Sequence, residues 1–301
     1  MRARDFSVNT MRRFSPTFRT CGFWLALELL LILSPRLSYA DLTTARQAME
    51  DQTNPLMLMT TSQGAIYIEL LANEAPDNVA RFIDLAEGQV EFFDEVANAT
   101  FTPRYYDGMR FHRVLPEFVI QGGSPSYHPL GAPEPMLADE INAIALGLDR
   151  LPVLNEDGSI NPMLNVGNQE EFAQRVLEPL YRELGVETVS ELDPAEDDIV
   201  TNLWGLTVMR LYEYEGYHYR SDFQTRGISR GTVALANDGP NRNGPEFFIA
   251  LRNADWLNGR HTVIGRVVEG LVTADLIGGM AIDPTMFNPQ SSVIYSIRRI
   301  N

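Results

Sequence analysis

The side chains best suited to chemistry stand in two stretches of this sequence. The first is FHRVLPEFVIQGG, residues 111–123, and the second is GTVALANDGPNRNGPEFFIALRNADWLNGRHTVIGRVVEG, residues 231–270. Arg113 carries a permanent charge on a rigid fork of donors, which suits a preorganised hydrogen-bonding role in catalysis. Taken singly, an arginine is more often a surface ion-pair partner, and aromatic residues are more often ordinary core. Their joint placement makes the two stretches candidates for a site.

Other kinds of chemistry find little support in the residues. The chain has one cysteine, Cys21, which excludes a disulfide framework and a cysteine-based zinc cluster. The four histidines show no metal-ligand spacing, and the sequence has no phosphate-binding glycine loop. We therefore expect no cofactor and no metal.

The charge of the chain also limits its partners. Of the 301 residues, 24 are basic, all of them arginine, and 40 are acidic, which gives a net charge of −16. Such a balance argues against nucleic acid or an anionic membrane surface as a partner. The 45% of hydrophobic residues suits a packed globular core.

The first forty residues have the pattern of a secretory signal peptide. A basic segment precedes an apolar run, Phe23–Leu33, and Ser38-Tyr39-Ala40 offers a cleavage site of small residues. The run is too short to span a bilayer of about 30 Å as a helix. Glu28 within the run, and Met11 as an alternative start, leave an uncleaved inner-membrane anchor open. We expect a signal peptide over residues 1–40 and a periplasmic or secreted mature chain, with membrane association only if the signal is uncleaved.

The elements that must position the two stretches are mainly β. Alternating apolar residues predict a hairpin of Leu56–Met59 and Ala65–Leu70 across a polar turn. A helix is predicted over residues 75–88, with Pro76 in its first turn and Gly88 at its end. Further strands are predicted around 110–112, 117–121, 231–236, 246–251, 262–268 and 293–300, and a second helix over 270–278.

A helical pair is predicted between these strands. Asn168 caps a first helix, in which Pro179 predicts a kink. Asp193 is predicted to cap a second helix that runs as far as Tyr212. We interpret residues 142–222 as an insertion in a β domain.

The two stretches, together with GAIYIELLANEAPDNVARFIDLA and YYDGMRFHR, closely resemble the cyclophilin family of peptidyl-prolyl cis–trans isomerases. The resemblance runs from about residue 55 to the C-terminus, apart from the insertion. It implies a closed eight-stranded antiparallel β-barrel capped by two helices, with the inserted helical pair. Residues 41–54 then form a lead-in segment, and residues 55–301 form the isomerase domain.

The resemblance also implies site residues. Prolyl isomerisation rotates a C–N bond against a barrier of about 18–20 kcal/mol and needs no nucleophile. Arg113 matches the arginine that directs its guanidinium at the prolyl amide, and Gln121 matches the glutamine that orients it. The matching substrate-binding positions are Phe118, Val119, Ala236, Asn237, Glu246, Phe248, Trp256, Leu257 and His261.

Three positions depart from the family pattern. Val119 replaces a common methionine, Pro245 replaces a small polar residue, and Glu246 replaces glutamine. A carboxylate at position 246 could pair with Arg113 and either pin it or draw it from substrate. These departures leave two functions open, a folding catalyst for exported proteins and a catalytically weak module that binds proline segments or acts as a chaperone.

The expected partners are proline-containing polypeptides. The match at Trp256 leaves a cyclosporin-like ligand open, and the insertion at 142–222 leaves a protein partner open. Its tyrosines are expected either to pack the insertion onto the barrel or to form a docking surface: Tyr212, Tyr214, Tyr217 and Tyr219.

Overall fold

The structure is a computed structural model that describes residues 40–280 and 292–301. Residues 1–39 of the predicted signal segment lie outside the described residues. The described helices are α1 (Leu42–Ala48), α2 (Pro76–Glu87), α3 (Gln169–Phe172), α4 (Glu178–Leu184), α5 (Leu192–Gly205), α6 (Val208–Tyr214) and α7 (Leu271–Gly278).

The first two strands form the predicted hairpin. β1 (Leu56–Thr61) pairs antiparallel with β2 (Gly64–Leu70), and Thr61 stands opposite Gly64 across a two-residue turn. The Thr61 hydroxyl donates to the Gly64 carbonyl at 2.8 Å, and Gly64 has a φ of +136°, which favours glycine. The turn therefore fixes the register of the hairpin, and with it the face that is buried.

Eight strands form one antiparallel sheet in the order β10-β1-β2-β9-β7-β8-β6-β5. Each lies where the sequence predicts a strand, whereas the separate hairpin of β3 and β4 has no signal in the pattern. The remaining strands are β3 (Phe92–Asp94), β4 (Ala99–Phe101), β5 (Phe111–Leu115), β6 (Val119–Gly122), β7 (Thr232–Leu235), β8 (Phe247–Ala250), β9 (Val263–Glu269) and β10 (Ile294–Arg299).

The ladder of this sheet is open between β5 and β10, so the structure gives a curled eight-stranded sheet of the β-barrel class. The two end strands meet near their first residues, where Arg110 and Val293 form one isolated bridge. The Phe111 amide donates to the Ser292 carbonyl at 3.0 Å, and the Ile294 amide donates to the Met109 carbonyl at 2.7 Å.

Two predicted helices cover the core of the sheet. α2 has Pro76 in its first turn and ends at Gly88, whose φ of 74° closes the helix in the left-handed conformation. α2 buries Phe82 among aromatic rings of the sheet core, and α7 buries Ile277 against the same cluster. Both helices therefore serve as caps of one hydrophobic core.

The first inserted helix begins as predicted, with the Asn168 side chain accepting from the Glu171 amide at 2.9 Å. The predicted kink takes the form of a π-helical turn over Ala173–Leu177, between α3 and α4. Pro179 follows this turn, and a proline has no N–H to continue the α-helical ladder, so a local change of hydrogen bonding is expected there.

The second inserted helix differs from the prediction. Its start lies at Thr188, which forms a capping box with Glu191 and opens a 3₁₀ turn ahead of α5, so Asp193 is not the cap. The helix also ends at Gly205, and α6 begins anew after Thr207. The Val153 amide donates to the Leu206 carbonyl at 2.9 Å, and this long-range bond holds the chain extended at the break.

The insertion buries a hydrophobic cluster of its own, separate from the sheet core. Its buried members are Ala143, Leu148, Val153, Leu164, Val176, Leu206, Val208, Leu211, Tyr212 and Tyr217.

Candidate active site

A tight hairpin positions Arg113 beside Gln121. β5 and β6 pair antiparallel, with Arg113 directly opposite Gln121, and their turn closes at Glu117, whose φ is +56°. The Arg113 Nη1 donates to the Gln121 Oε1 at 3.0 Å. Both side chains are half-buried, so the guanidinium is held by the sheet and still reaches solvent.

Glu246 does not pair with Arg113. Its Oε1 accepts from the Gln121 Nε2 and lies 3.0 Å from the His112 Nε2, so Gln121 stands between the carboxylate and the arginine. Burial raises the pKa of Glu246, but hydrogen bonds from His112, Gln121 and Ser124 outweigh it and hold this pKa below its ordinary value. The expected contact between Glu246 and Arg113 is therefore replaced by a chain of hydrogen bonds.

This chain fixes the polarity of the Gln121 amide. An ionised carboxylate only accepts hydrogen bonds, so Gln121 must turn its NH₂ group to Glu246. The amide oxygen then faces Arg113 and accepts from its guanidinium. Glutamine, the family's usual residue at 246, can donate as well as accept, so it would impose no such polarity.

A hydrophobic cluster lies beside Gln121, which stands opposite its member Phe248 in the β6–β8 pair. Within this cluster, Val119 and Phe248 are only 2% and 4% exposed. The Phe118 and Trp256 rings lie 5.6 Å apart at the more open side. The predicted pocket residues belong to a single hydrophobic cluster, together with Leu115, which has no signal beyond its strand pattern: Phe118, Val119, Ala236, Phe248, Trp256 and Leu257.

His261 packs against the same cluster. Its ring packs edge-on against Phe248, with 5.4 Å between centroids, and its Nδ1 donates to the Leu235 carbonyl at 3.0 Å. Burial, together with the nearby charge of Arg260, lowers the pKa of His261 to about 4 against the opposing effect of the Leu235 bond. The imidazole is therefore neutral near pH 7 and presents an unprotonated Nε2.

Ala236 and Asn237 form the edge of the site. The Ala236 amide donates to the Glu246 carbonyl at 2.9 Å, and the Asn237 Nδ2 donates to the Arg260 carbonyl at 3.0 Å. A cavity of about 310 Å³ opens next to them and next to Gln121 and Glu246. Its outer lining includes four residues for which the sequence pattern gave no signal: Pro125, Met136, Asp238 and Arg242.

The geometry thus brings all eleven predicted site residues to one region. It combines an oriented cation, an apolar cluster with half-buried aromatic rings and an adjoining cavity of about 310 Å³. Such a set can bind a proline ring and donate a hydrogen bond to the amide that precedes it.

Within residues 40–280 and 292–301, no group of three or more histidine, cysteine or acidic side chains is arranged to hold a metal ion. Over the same residues, every helix is too short or too polar to cross a membrane.

Comparison with known proteins gives the class that the fold and site define. The family model described as cyclophilin type peptidyl-prolyl cis-trans isomerase/CLD matches residues 56–298. The chain therefore belongs to this family, whose members are isomerases of peptide bonds that precede proline.

Two relatives agree with this assignment. Peptidyl-prolyl cis-trans isomerase B of Streptomyces anulatus is 27% identical over 233 residues, which cover 77% of this chain and 86% of the relative. Peptidyl-prolyl cis-trans isomerase ppi1 of Schizosaccharomyces pombe is 27% identical over 226 residues, covering 75% and 86%. A crystal structure of a Cryptosporidium parvum cyclophilin-type isomerase, in the presence of the dipeptide Ala-Pro, matches with a TM-score of 0.43 and 16% identity, covering 82% of this chain and 99% of that one.

Proposed function

We propose that Arg113 and Gln121 are the catalytic pair of this isomerase, and that the apolar pocket beside them takes the proline ring. The observation that carries the proposal is the 3.0 Å hydrogen bond from Arg113 to Gln121, next to the cluster that contains Phe118 and Phe248. The guanidinium donates to the prolyl nitrogen as the bond twists, because the lone pair becomes available once amide resonance is lost.

The remaining side chains hold the substrate around the rotating bond. His261 and Phe248 contact the proline ring, and Trp256 and Leu257 cover it from the open side. Ala236 and Asn237 bind the residue before proline through their backbone groups. Glu246 acts through Gln121, since its carboxylate reaches Gln121 and not Arg113.

A protease-coupled isomerisation assay on a short X–Pro peptide tests this proposal. Arg113→Ala should lower kcat/KM by about 100- to 1000-fold, the usual effect of losing one preorganised donor. Arg210→Ala is the matched control, because this exposed arginine of the insertion pairs with Glu183 and Glu213 and stacks on Tyr214. Equal rates for Arg113→Ala and the unmutated protein would refute the arginine assignment.

The same assay separates the enzyme from the binding module. If the unmutated protein gives no rate above background, yet binds the peptide, the weak proline-segment binding or chaperone function replaces the catalytic one. The oriented guanidinium favours catalysis, since binding of a proline ring alone needs only the apolar pocket.

We further propose that the enzyme assists folding of exported proteins, in the periplasm or outside the cell. Support comes from the sequence of residues 1–40, with its basic start, apolar run and small-residue site. Mass spectrometry of the protein from cell fractions tests this: a mature chain starting at Asp41, outside the cytoplasm, is expected. An intact chain in the inner-membrane fraction would indicate an uncleaved anchor.

A cyclosporin-like ligand is proposed for the same pocket, on the ground that Trp256 packs at its open side beside Phe118. Inhibition of isomerisation by cyclosporin, weakened in Trp256→Ala, is the expected result, and equal inhibition of both proteins would contradict it.

We also propose that the curled sheet closes into a barrel between β5 and β10. Support comes from the Arg110–Val293 bridge and the flanking backbone hydrogen bonds of Phe111 and Ile294. Slow amide exchange at Phe111 and Ile294, comparable to that of central strands, is expected. Fast exchange at both would indicate an open edge.

A further inference from the structure

A second pocket adjoins the proline site on the side of the insertion. It has a volume of about 410 Å³, and we call it the insertion-side pocket. It shares Asn237 and His261 with the proposed substrate site. A polypeptide bound at the substrate site could therefore place a side chain near its proline in the insertion-side pocket. The insertion supplies Arg175, Glu215 and Tyr217 to its lining, and the sheet region supplies residues 237–240, Arg260 and His261.

Most of the charge in this pocket is already neutralised. The Arg260 Nη2 donates to both carboxylate oxygens of Glu215, at 2.7 and 2.9 Å, and its guanidinium lies 4.3 Å from the centre of the Tyr212 ring. The exposed Asp238 pairs with Arg242 at 2.5 Å. Neither carboxylate is therefore available to the remaining cation.

That remaining cation is Arg175, on the π-helical turn between α3 and α4. Its Nη1 donates to the Asn165 carbonyl at 3.2 Å. Among the described residues, no carboxylate oxygen lies within 4 Å of its guanidinium, although Glu215 is near enough for Arg175 to lower the pKa of that side chain. The other donors of its fork are left for a ligand in the pocket.

We propose that the insertion-side pocket is a subsite for an acidic side chain of the client polypeptide, bound by Arg175 close to the isomerised proline. The planar guanidinium suits a carboxylate because the two can form paired, charge-assisted hydrogen bonds. The half-buried Pro240 and the buried Tyr217 supply apolar surface for the methylene groups of the side chain. The inference rests on the proposed placement of the proline next to His261.

The net charge of the chain opposes the binding of acidic peptides, so it cannot explain the preference proposed here. At −16, the whole protein repels acidic peptides at long range. A preference for an acidic residue must therefore come from a local contact, and the insertion-side pocket offers that contact through Arg175.

Isomerisation of matched peptides provides the test. Each peptide has one proline, and Glu or its isostere Gln occupies in turn each of the four positions on either side. The unmutated protein should prefer Glu to Gln at one position by about five- to tenfold in kcat/KM, as for a charge-assisted hydrogen bond. Arg175→Gln should reduce this ratio to about one by lowering kcat/KM for the Glu peptide.

Two further variants keep the test specific. Arg182→Gln removes the same charge from an exposed site outside the pocket and should retain the preference. Arg175→Lys keeps the charge without the planar fork and should retain only part of the preference for Glu over Gln.

The outcomes separate the two proposals. An unchanged ratio in Arg175→Gln, or no position at which Glu is preferred, would overturn the subsite. If the unmutated protein showed no activity towards the Gln peptides, or if Arg113→Ala kept full activity, the proposed catalytic site at Arg113 and Gln121 would be overturned instead.

Discussion

The sheet and the insertion each bury a hydrophobic cluster, but they hold the chain around it by different means. In the sheet, backbone ladders between neighbouring strands fix each register. In the insertion, short helices depend on side-chain caps at Asn168, Thr188 and Thr207. A ladder holds a strand through many backbone hydrogen bonds, whereas a cap pairs the free backbone groups at a single helix end. The residues proposed for catalysis lie in the sheet and its adjoining loops, which are the more firmly specified part.

The two regions meet at the segment that carries His261. The Tyr219 hydroxyl donates to the Gly259 carbonyl at 2.9 Å, and Glu215 binds Arg260. Tyr212 and Tyr217 are buried in the insertion's cluster, and Tyr214 and Tyr219 pack against it, so all four tyrosines help to pack the insertion. The insertion thus supports one flank of the site, and the following predictions separate its contribution from that of the sheet.

The largest difference is expected between two phenylalanines. Phe247 is fully buried among the rings of Phe82, Tyr106 and Phe111, so Phe247→Ala should lower the free energy of unfolding by about 3–5 kcal/mol. Phe172 of the insertion is only half-buried, and Phe172→Ala should cost about 1–1.5 kcal/mol. Urea denaturation measures both values. Equal losses would mean that the insertion core is packed as tightly as the sheet core.

A pair of glycines tests the contact between the regions. Gly259 and Gly185 both have positive φ, 84° and 71°, so alanine should cost each about 1–2 kcal/mol. At Gly259, a Cβ would also lie 2.5 Å from the Leu148 Cδ1 and 3.3 Å from the Tyr212 ring, whereas at Gly185 it would meet open space. Gly259→Ala should therefore lower the free energy of unfolding by about 1–3 kcal/mol more than Gly185→Ala does.

The activity of the same pair shows whether the contact reaches the site. Because Gly259 lies two residues before His261, we expect Gly259→Ala to lower kcat/KM by about tenfold, and Gly185→Ala to leave it unchanged. If both variants keep full activity, the insertion does not help to position His261.

Much of the sheet could be predicted from the sequence because its determinants are local. Alternation, turn residues and the Pro76 and Gly88 signals act within a few positions of the elements that they define. The site residues could be assembled because the resemblance spans both stretches. Their contacts were less accessible: the sequence alone did not reveal that Gln121 separates Glu246 from Arg113.

The insertion was harder to predict because long-range bonds override its local signals. The Leu206 break follows from pairing with Val153, more than fifty residues earlier in the chain, and no periodicity encodes such a bond. Arg175 carries no signal of its own either, since no local pattern shows that the turn between α3 and α4 lines the same pocket as residues 237–240.

Two glutamates should give opposite pH dependence. Hydrogen bonds hold the pKa of Glu246 below 4.5 against its burial, so its stabilising contribution is complete above pH 4.5 and is lost as the pH falls through the lowered value. Burial raises the pKa of Glu215 despite the charges of Arg260 and Arg175, so its contribution is present below pH 4.5 and declines as the pH rises through the raised value.

Below pH 4.5, Glu246→Gln should therefore make the free energy of unfolding fall less steeply as the pH falls. Above pH 4.5, Glu215→Gln should make the free energy of unfolding rise more steeply as the pH rises. Urea denaturation from pH 3 to 7 measures both slopes. Changes of the same sign in the two variants would contradict the assignment. Glu246→Gln should also lower kcat at pH 7 by about two- to threefold, because Gln121 is then free to turn its amide.

The smallest effects should come from exposed ion pairs, and here the two regions should not differ. Asp275 of α7 pairs with Arg230 at 2.6 Å, and Glu213 of α6 pairs with Arg210 at 2.9 Å. Solvent screens both pairs, and each pair must immobilise a long arginine side chain, so Asp275→Asn and Glu213→Gln should each change the free energy of unfolding by less than about 1 kcal/mol. A larger loss in Glu213→Gln alone would mean that the insertion, lacking ladders, relies on surface charge where the sheet does not.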